Sequence, residues 1–309
     1  MVSRVTTPGN YSAVLANILA AQKRQMEAGD RVATQRNGTN LKAYAKNAEI
    51  LTAMRSVQSR LGVYQEQNNI ISDKLETQDS GITRVADAAQ QVRQVMAEAI
   101  ATGRADTLIE DIQAQMSNAV EGMNARYGGK YVFAGGQVDT KPVTVQTLAD
   151  LTAGPPIASF FQNDQFKVQA KLDESTSVTT GVLADELGVN MMTAFKTFET
   201  FNQGVGGPFS GPLTNAQKTF LEGQLASWEA IRVDVTNIAA HNGNIQRRLE
   251  TVATDLTKRQ NSLAGMLADI TDADMGAAAS ALQQAQLSVQ SAAYVFQALQ
   301  QSSLLNILK

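Results

Sequence analysis

From Ala43 to Ala99 one line of residues repeats at alternating steps of four and three without a slip. It runs Ala43, Asn47, Ile50, Met54, Val57, Leu61, Tyr64, Asn68, Ile71, Leu75, Gln78, Ile82, Val85, Ala89, Val92, Met96 and Ala99. Such a line is the buried seam of a coiled coil. At about 1.5 Å per residue the helix would be roughly 85 Å long. That length implies a rod rather than a compact globule. Gly62 and Gly81 each cost roughly 1 kcal/mol of helix stability, which leaves room for a kink there. The polar seam positions Asn47, Asn68 and Gln78 either set register or sit at wet edges.

A second helix, from about Asn215 to Leu267, mirrors the first. Trp228, Ile231, Val235, Ile238, Asn242, Ile245, Leu249, Val252, Leu256, Arg259, Leu263, Met266 and Ile270 again step by three and four. Two such helices are most simply laid side by side. The expected fold class is mainly α with a small β-rich insert: an elongated antiparallel long-helix bundle or coiled coil, with both termini at one end.

The remaining segments fit around this frame. A short N-terminal helix carries Tyr11, Val14, Leu15, Ile18 and Leu19 on one face, extended by Gln22, Gln25 and Met26, with breakers at Gly29-Asp30 and Asn37-Gly38-Thr39-Asn40. Asn37-Gly38-Thr39 also matches a glycosylation sequon, but reads better as a turn. After Gly103, residues Asp106 to Met123 suggest a helix turning back along the first rod. Tyr127 to about Thr180 mixes Gly, Pro, aromatic and β-branched residues and reads as a β-rich insert at the turn-back end. Phe166, Val168 and Ala170 alternate there like a half-buried strand. Leu187, Met191, Met192, Phe195, Phe198 and Phe201 form the face of a further short helix. The expected divisions are 1–40, an N-terminal assembly segment; 41–126, the first arm; 127–186, the insert; 187–270, the second arm; and 271–309, a C-terminal assembly helix.

That last helix is unusual in lacking charge. Ala278, Leu282, Ala285, Val289, Ala292, Phe296, Leu299 and Ser303 form a seam, and between them lie mostly Ala, Gln and Ser. A helix without charges is poorly suited to facing water and is expected to pack on other helices, in its own chain and in other copies. The expected self-assembly interface is Val14, Leu15, Ile18, Leu282, Val289, Phe296 and Leu299. Thr271 or Asp272 is expected at the N-cap, with Asp274 in the first turn favoured by the helix dipole.

Composition narrows the function classes. The chain has 309 residues, a net charge of −3 and no cysteine. Nucleic-acid binding, disulfides and thiol chemistry find no support. No apolar run reaches the length of a membrane span, and Met1-Val2-Ser3-Arg4 does not begin a signal peptide. His241, the single histidine, has no marked acid or nucleophile beside it. Asp269, Asp272 and Asp274 lack the spacing of a calcium loop. No metal, no cofactor and no enzymatic activity are expected.

The residues also resemble a known family. Asp269-Ile270-Thr271-Asp272-Ala273-Asp274-Met275, followed by Ala278, Leu282, Gln286, Gln290 and Ser303-Leu304-Leu305-Asn306-Ile307-Leu308, is similar to the C-terminal signature of bacterial flagellins. Arg4-Val5-Thr6, the early helix and Gly29-Asp30-Arg31-Val32 resemble the flagellin N-terminal region. Asn242 to Glu250 resembles a segment shared across the superfamily. Gly128 to Gly136, with Thr140-Lys141-Pro142-Val143, is similar to the branch of flagellin-type hook-associated proteins at the hook–filament junction. The likeness leaves about Val145 to Asp185 uncovered. Thr34 to Asn40 departs from the family pattern, in which paired aspartates commonly follow the first helix. This leaves filament flagellin open beside the junction protein.

The resemblance implies a structural protein of the flagellum, an adaptor ring that joins hook to filament and templates flagellin. It implies terminal segments, here Val2 to Gln35 and Asp274 to Lys309, that are disordered in the monomer and order on assembly. It also implies as partners copies of the chain, the neighbouring hook-associated protein, flagellin, and an export chaperone at the C-terminal segment, with no nucleic acid and no membrane. The implied location is the extracellular flagellum, reached through the flagellar secretion channel without a cleaved signal peptide. A secreted, non-flagellar helical adhesin or tip protein is the distant alternative.

Overall fold

The computed structural model describes residues 7–307, with side chains described from 12 to 301. Arg4-Val5-Thr6, Leu308-Lys309 and the side chains of Tyr11 and Ser303 lie outside the described residues. Within them the chain is mainly helical. The helices are α1 (Thr7–Thr34), α2 (Ala48–Thr102), α3 (Leu108–Met123), α4 (Leu148–Ala153), α5 (Ala184–Gln203), α6 (Asn215–Thr271) and α7 (Met275–Ile307). Two short antiparallel pairs complete it: β1 (Arg126–Tyr127) with β2 (Lys130–Tyr131), and β3 (Gln169–Lys171) with β4 (Ser177–Thr179).

The chain divides into two compact units. One holds the chain up to Arg60 and from Lys258 onward; the other is Leu61–Thr257. The division falls inside the two long helices, α2 and α6.

In the unit Leu61–Thr257 the two long helices run antiparallel. The Asn242 and Gln246 side-chain amides of α6 both donate to the Leu75 carbonyl of α2, and Arg93 of α2 pairs with Glu229 of α6. The seam is buried as its spacing predicts: Leu75, Ile82, Val85, Ala89, Val92 and Met96 from α2, with Trp228, Ile231 and Val235 from α6. Trp228 meets the Phe195 ring of α5 edge-on at 4.8 Å between centroids. Such pairs add to burial, which by itself stabilises by about 1.5–3 kcal/mol per large apolar side chain.

Of the polar seam residues, Asn68 and Gln78 are buried and Asn47 is exposed. Asn68 donates to the Leu172 carbonyl and Gln78 to the Val132 carbonyl. These amides fasten the insert to α2. Register within the seam is therefore tied to particular backbone carbonyls.

α2 continues as one helix through both Gly62 and Gly81. Gly62 faces open space, whereas a Cβ at Gly81 would lie 2.8 Å from the Gly122 carbonyl oxygen and 2.7 Å from the Phe133 ring. Gly122 of α3 faces Gly81 in return, with its own Cβ position 2.8 Å from the Gly81 oxygen. The two glycines let α2 and α3 touch backbone to backbone.

The insert differs from expectation in content and place. It is mostly loop, with two short hairpins, α4 and a 3₁₀ turn at Ile157–Phe160. Phe166 is exposed and not part of β3, because the half-buried alternation shrinks to Ala170 flanked by Gln169 and Lys171. Nor does the insert sit at the turn-back end. That end is closed by Gly103–Ala105 pairing with Gly211–Leu213. The β3–β4 hairpin instead packs Ala170, Leu172 and Val178 against Leu75, Ile245 and Leu249, part-way along the helices. The reason is apolar: the hairpin completes one buried cluster with those seam positions, with Ile71 and Val252 at its edge.

Candidate assembly interface

The residues expected to mediate assembly belong to the unit formed by the two ends of the chain. There α1 and α7 pack on each other. The end of α1 adjoins the start of α7, because the Ala273 N–H donates to the Gln35 carbonyl at 2.9 Å. The two helices are therefore antiparallel.

Their shared seam is narrow and built on alanine. Ala21 and Ala28 of α1, and Ala278 and Ala285 of α7, are buried at steps of seven. Val14, Ile18, Gln25 and Val32 continue the α1 line half-buried; Leu282, Val289, Ala292, Phe296 and Leu299 continue that of α7. Small side chains let the helix axes approach closely but bury little apolar area. A groove of about 390 Å³ remains between the helices, lined by Arg24, Glu27 and Arg31 on one side and Gln284 and Ser288 on the other.

This placement divides the expected interface. Val14, Ile18, Leu282, Val289, Phe296 and Leu299 all lie on seam lines within the chain. Leu15 lies off the seam and is exposed. Two apolar stripes face outward instead. On α1 they are Leu15, Leu19 and Met26; on α7 they are Leu287, Tyr294 and Val295. Met26 is 65% exposed, Leu287 63% and Tyr294 72%. The α7 stripe escaped the sequence reading because it is offset from the strict seam. The signal available was a set of large apolar residues off the seam in a helix without charge.

The cap differs from expectation as well. Asp274 is the N-cap: its carboxylate accepts the Gly276 and Ala277 N–H groups at 2.8 and 3.0 Å. Thr271 instead closes α6, its hydroxyl donating to the Leu267 carbonyl, and Asp272 lies in the connector. The chain needs two residues to leave α6 before it can start α7, which moves the cap downstream.

The two connectors are stitched together. Asn37 donates from its backbone to the Thr271 carbonyl at 2.8 Å, and from its side chain to the Asp272 carbonyl at 2.7 Å. The Tyr44 hydroxyl accepts from Gly38 N–H at 2.9 Å and faces the carbonyls of Gly38 and Thr271 at 2.9 and 3.2 Å. Gln35 takes a left-handed φ of 57° to reach this geometry. α1 also runs past Gly29-Asp30, expected to break it, because Ala28 and Val32 remain on the seam.

Other candidate chemistry is dispersed. His241 is exposed on α6. Among the described residues no group of three His, Cys, Asp or Glu could hold a metal ion, and no helix is long and apolar enough to cross a membrane.

No protein of curated function matches the chain by sequence. Its fold is similar to a Vibrio parahaemolyticus protein assigned as flagellar hook-associated, with TM-score 0.58 and 10% identity over 72% of this chain and 97% of that one. It is also similar to FlgL of Bacillus cereus, with TM-score 0.55 and 15% identity over 70% of this chain and 99% of that one. Residues 5–137 match the bacterial flagellin N-terminal helical region, and residues 226–308 match the bacterial flagellin C-terminal helical region. The two matches lie at the two ends of the sequence and together span most of it, so the chain belongs to the bacterial flagellin family.

Proposed function

We propose that the protein is the adaptor between hook and filament, forming a ring whose one surface meets the preceding hook-associated protein and whose other templates flagellin. The observation that carries this reading is the terminal helix pair. Its inner seam is satisfied within the chain, and its outer stripes, Leu15, Leu19 and Met26 with Leu287, Tyr294 and Val295, are apolar and uncovered. Exposed apolar residues on a charge-free helix favour burial against like surfaces. The likeness to hook-associated structures supports the junction over the filament. Self-association through the outer stripes, contact with flagellin and with the neighbouring junction protein, and a chaperone on α7 during export all belong to this proposal, as does an extracellular place without a cleaved signal.

Immunogold labelling of isolated flagella, with an antibody against residues 145–180, tests it. Gold confined to the point where hook meets filament is the expected result. Gold along the whole filament would make the protein a filament flagellin. Unlabelled flagella would return the reading to a secreted, non-flagellar helical protein.

A further inference from the structure

We infer that Asn37-Gly38 is a site of spontaneous covalent modification, deamidation, and that the Tyr44 clasp gates it. The chain contains two Asn-Gly pairs, Asn37-Gly38 and Asn242-Gly243. They sit in opposite surroundings. Asn242 is fully buried in the interior of α6, with its side-chain amide on the Leu75 carbonyl. A helical backbone holds the following amide in an i to i−4 bond and away from the side chain. Asn37 is exposed, in the connector between α1 and the 3₁₀ turn Leu41–Tyr44.

The chemistry needs only this dipeptide, water and a solution base. The base removes the Gly38 N–H proton, and that nitrogen attacks the side-chain carbon Cγ of Asn37. A Cγ–N bond forms, the Cγ–Nδ2 bond breaks, and ammonia leaves with a proton taken from the solvent. Water then opens the resulting succinimide at either carbonyl, giving aspartate or isoaspartate. Glycine permits this because no side chain hinders the ring closure.

In the closed connector both reacting groups are occupied. The nucleophile, Gly38 N–H, is bonded to the Tyr44 hydroxyl, and the leaving amide is bonded to the Asp272 carbonyl. Local opening of the stitch frees both at once. The dipeptide is also fixed by the fold. A Cβ at Gly38 would lie 2.1 Å from the Ala43 Cβ, so the glycine cannot be replaced without moving the turn. The Asn37 side-chain amide is one of the donors that tie the two connectors together, beside its own backbone N–H, the Ala273 N–H and the Tyr44 hydroxyl. Deamidation replaces that donor with a carboxylate facing the Asp272 carbonyl, so the product cannot rebuild the bond. The site therefore acts as a one-way loss of the Asn37–Asp272 bond, which loosens the stitch between the two connectors.

The test is prolonged incubation of the full chain in neutral buffer, followed by peptide mapping with isoaspartate detection. Conversion is expected at Asn37 and not at Asn242. Tyr44→Phe keeps the ring but removes the clasp, and is expected to speed conversion at Asn37 several-fold while leaving Asn242 unchanged. Conversion at Asn37 no faster than at Asn242 in the native chain overturns the proposal, whatever the variant does. An unchanged rate at Asn37 in Tyr44→Phe, with native helicity retained, overturns the gating.

Discussion

Single residues decide how closely the helices meet, and glycine shows it most plainly. Gly62 and Gly81 lie in the same helix and share the same intrinsic cost, yet only Gly81 faces a neighbour. Gly62→Ala is expected to raise stability by up to about 1 kcal/mol through helix propensity. Gly81→Ala gains the same propensity but forces apart α2, Gly122 and Phe133, and is expected to destabilise by about 1–3 kcal/mol. Urea unfolding of both variants, followed by the fluorescence of buried Trp228, checks this. Equal effects of the two would show that packing at Gly81 is slack. Asn68 and Gln78 make the same point for polar groups. Their spacing reveals the seam, but the carbonyls they hold, Leu172 and Val132, come from the insert and leave no trace in the periodicity.

At the scale of elements, three carboxylates fix the turns of the insert. The Gly136 and Phe166 N–H groups bond to the Asp164 carboxylate and hold it below the usual carboxylate range. The Thr147 and Gln146 N–H groups do the same for Asp150 at the start of α4. Burial pushes the Asp173 carboxyl up, but bonds from the Ser175 and Thr176 N–H groups outweigh it and leave the group lowered. Folded values below the unfolded value of about 3.9 mean that the stabilisation is complete above that pH. It is lost as pH falls through the folded values. The thermal midpoint is therefore expected to hold steady down to about pH 5 and drop below about pH 4. Asp164→Asn should lower the midpoint at neutral pH and flatten that drop. Circular dichroism melts across this range check it, and a midpoint indifferent to acid would remove these carboxylates from the account. None of this was legible beforehand, because the partners are loop N–H groups placed by turns.

For the whole molecule, the question is which face of the terminal helices is left for other chains. A charge at Val289 or Phe296 enters the line shared with α1, and is expected to reduce helicity as well as assembly. A charge at Leu287 or Tyr294 enters exposed positions, and is expected to preserve helicity while stopping assembly. Circular dichroism with sedimentation separates the two outcomes, and normal assembly of Tyr294→Lys would remove the outer stripe from the interface. The alanine seam buries little area, so α1 and α7 stabilise one another only modestly.

The seams of α2, α6 and α7 were readable because a helix buried along one side must repeat its apolar residues every three or four positions. The fold class and the small, charge-free character of α7 followed from sequence on that ground alone. The tertiary structure decided which side of that seam was already occupied. Val289 and Phe296 were expected at the self-assembly interface, but they lie on the line that α1 half-covers, while Leu287 and Tyr294 are the exposed residues of α7. It also decided the stitch of Asn37 and Tyr44 on Thr271 and Asp272, across more than 220 residues of chain. Periodicity records how a helix meets its nearest neighbour. It carries no information about contacts between loops, whose partners are chosen by backbone hydrogen bonds rather than by apolar area.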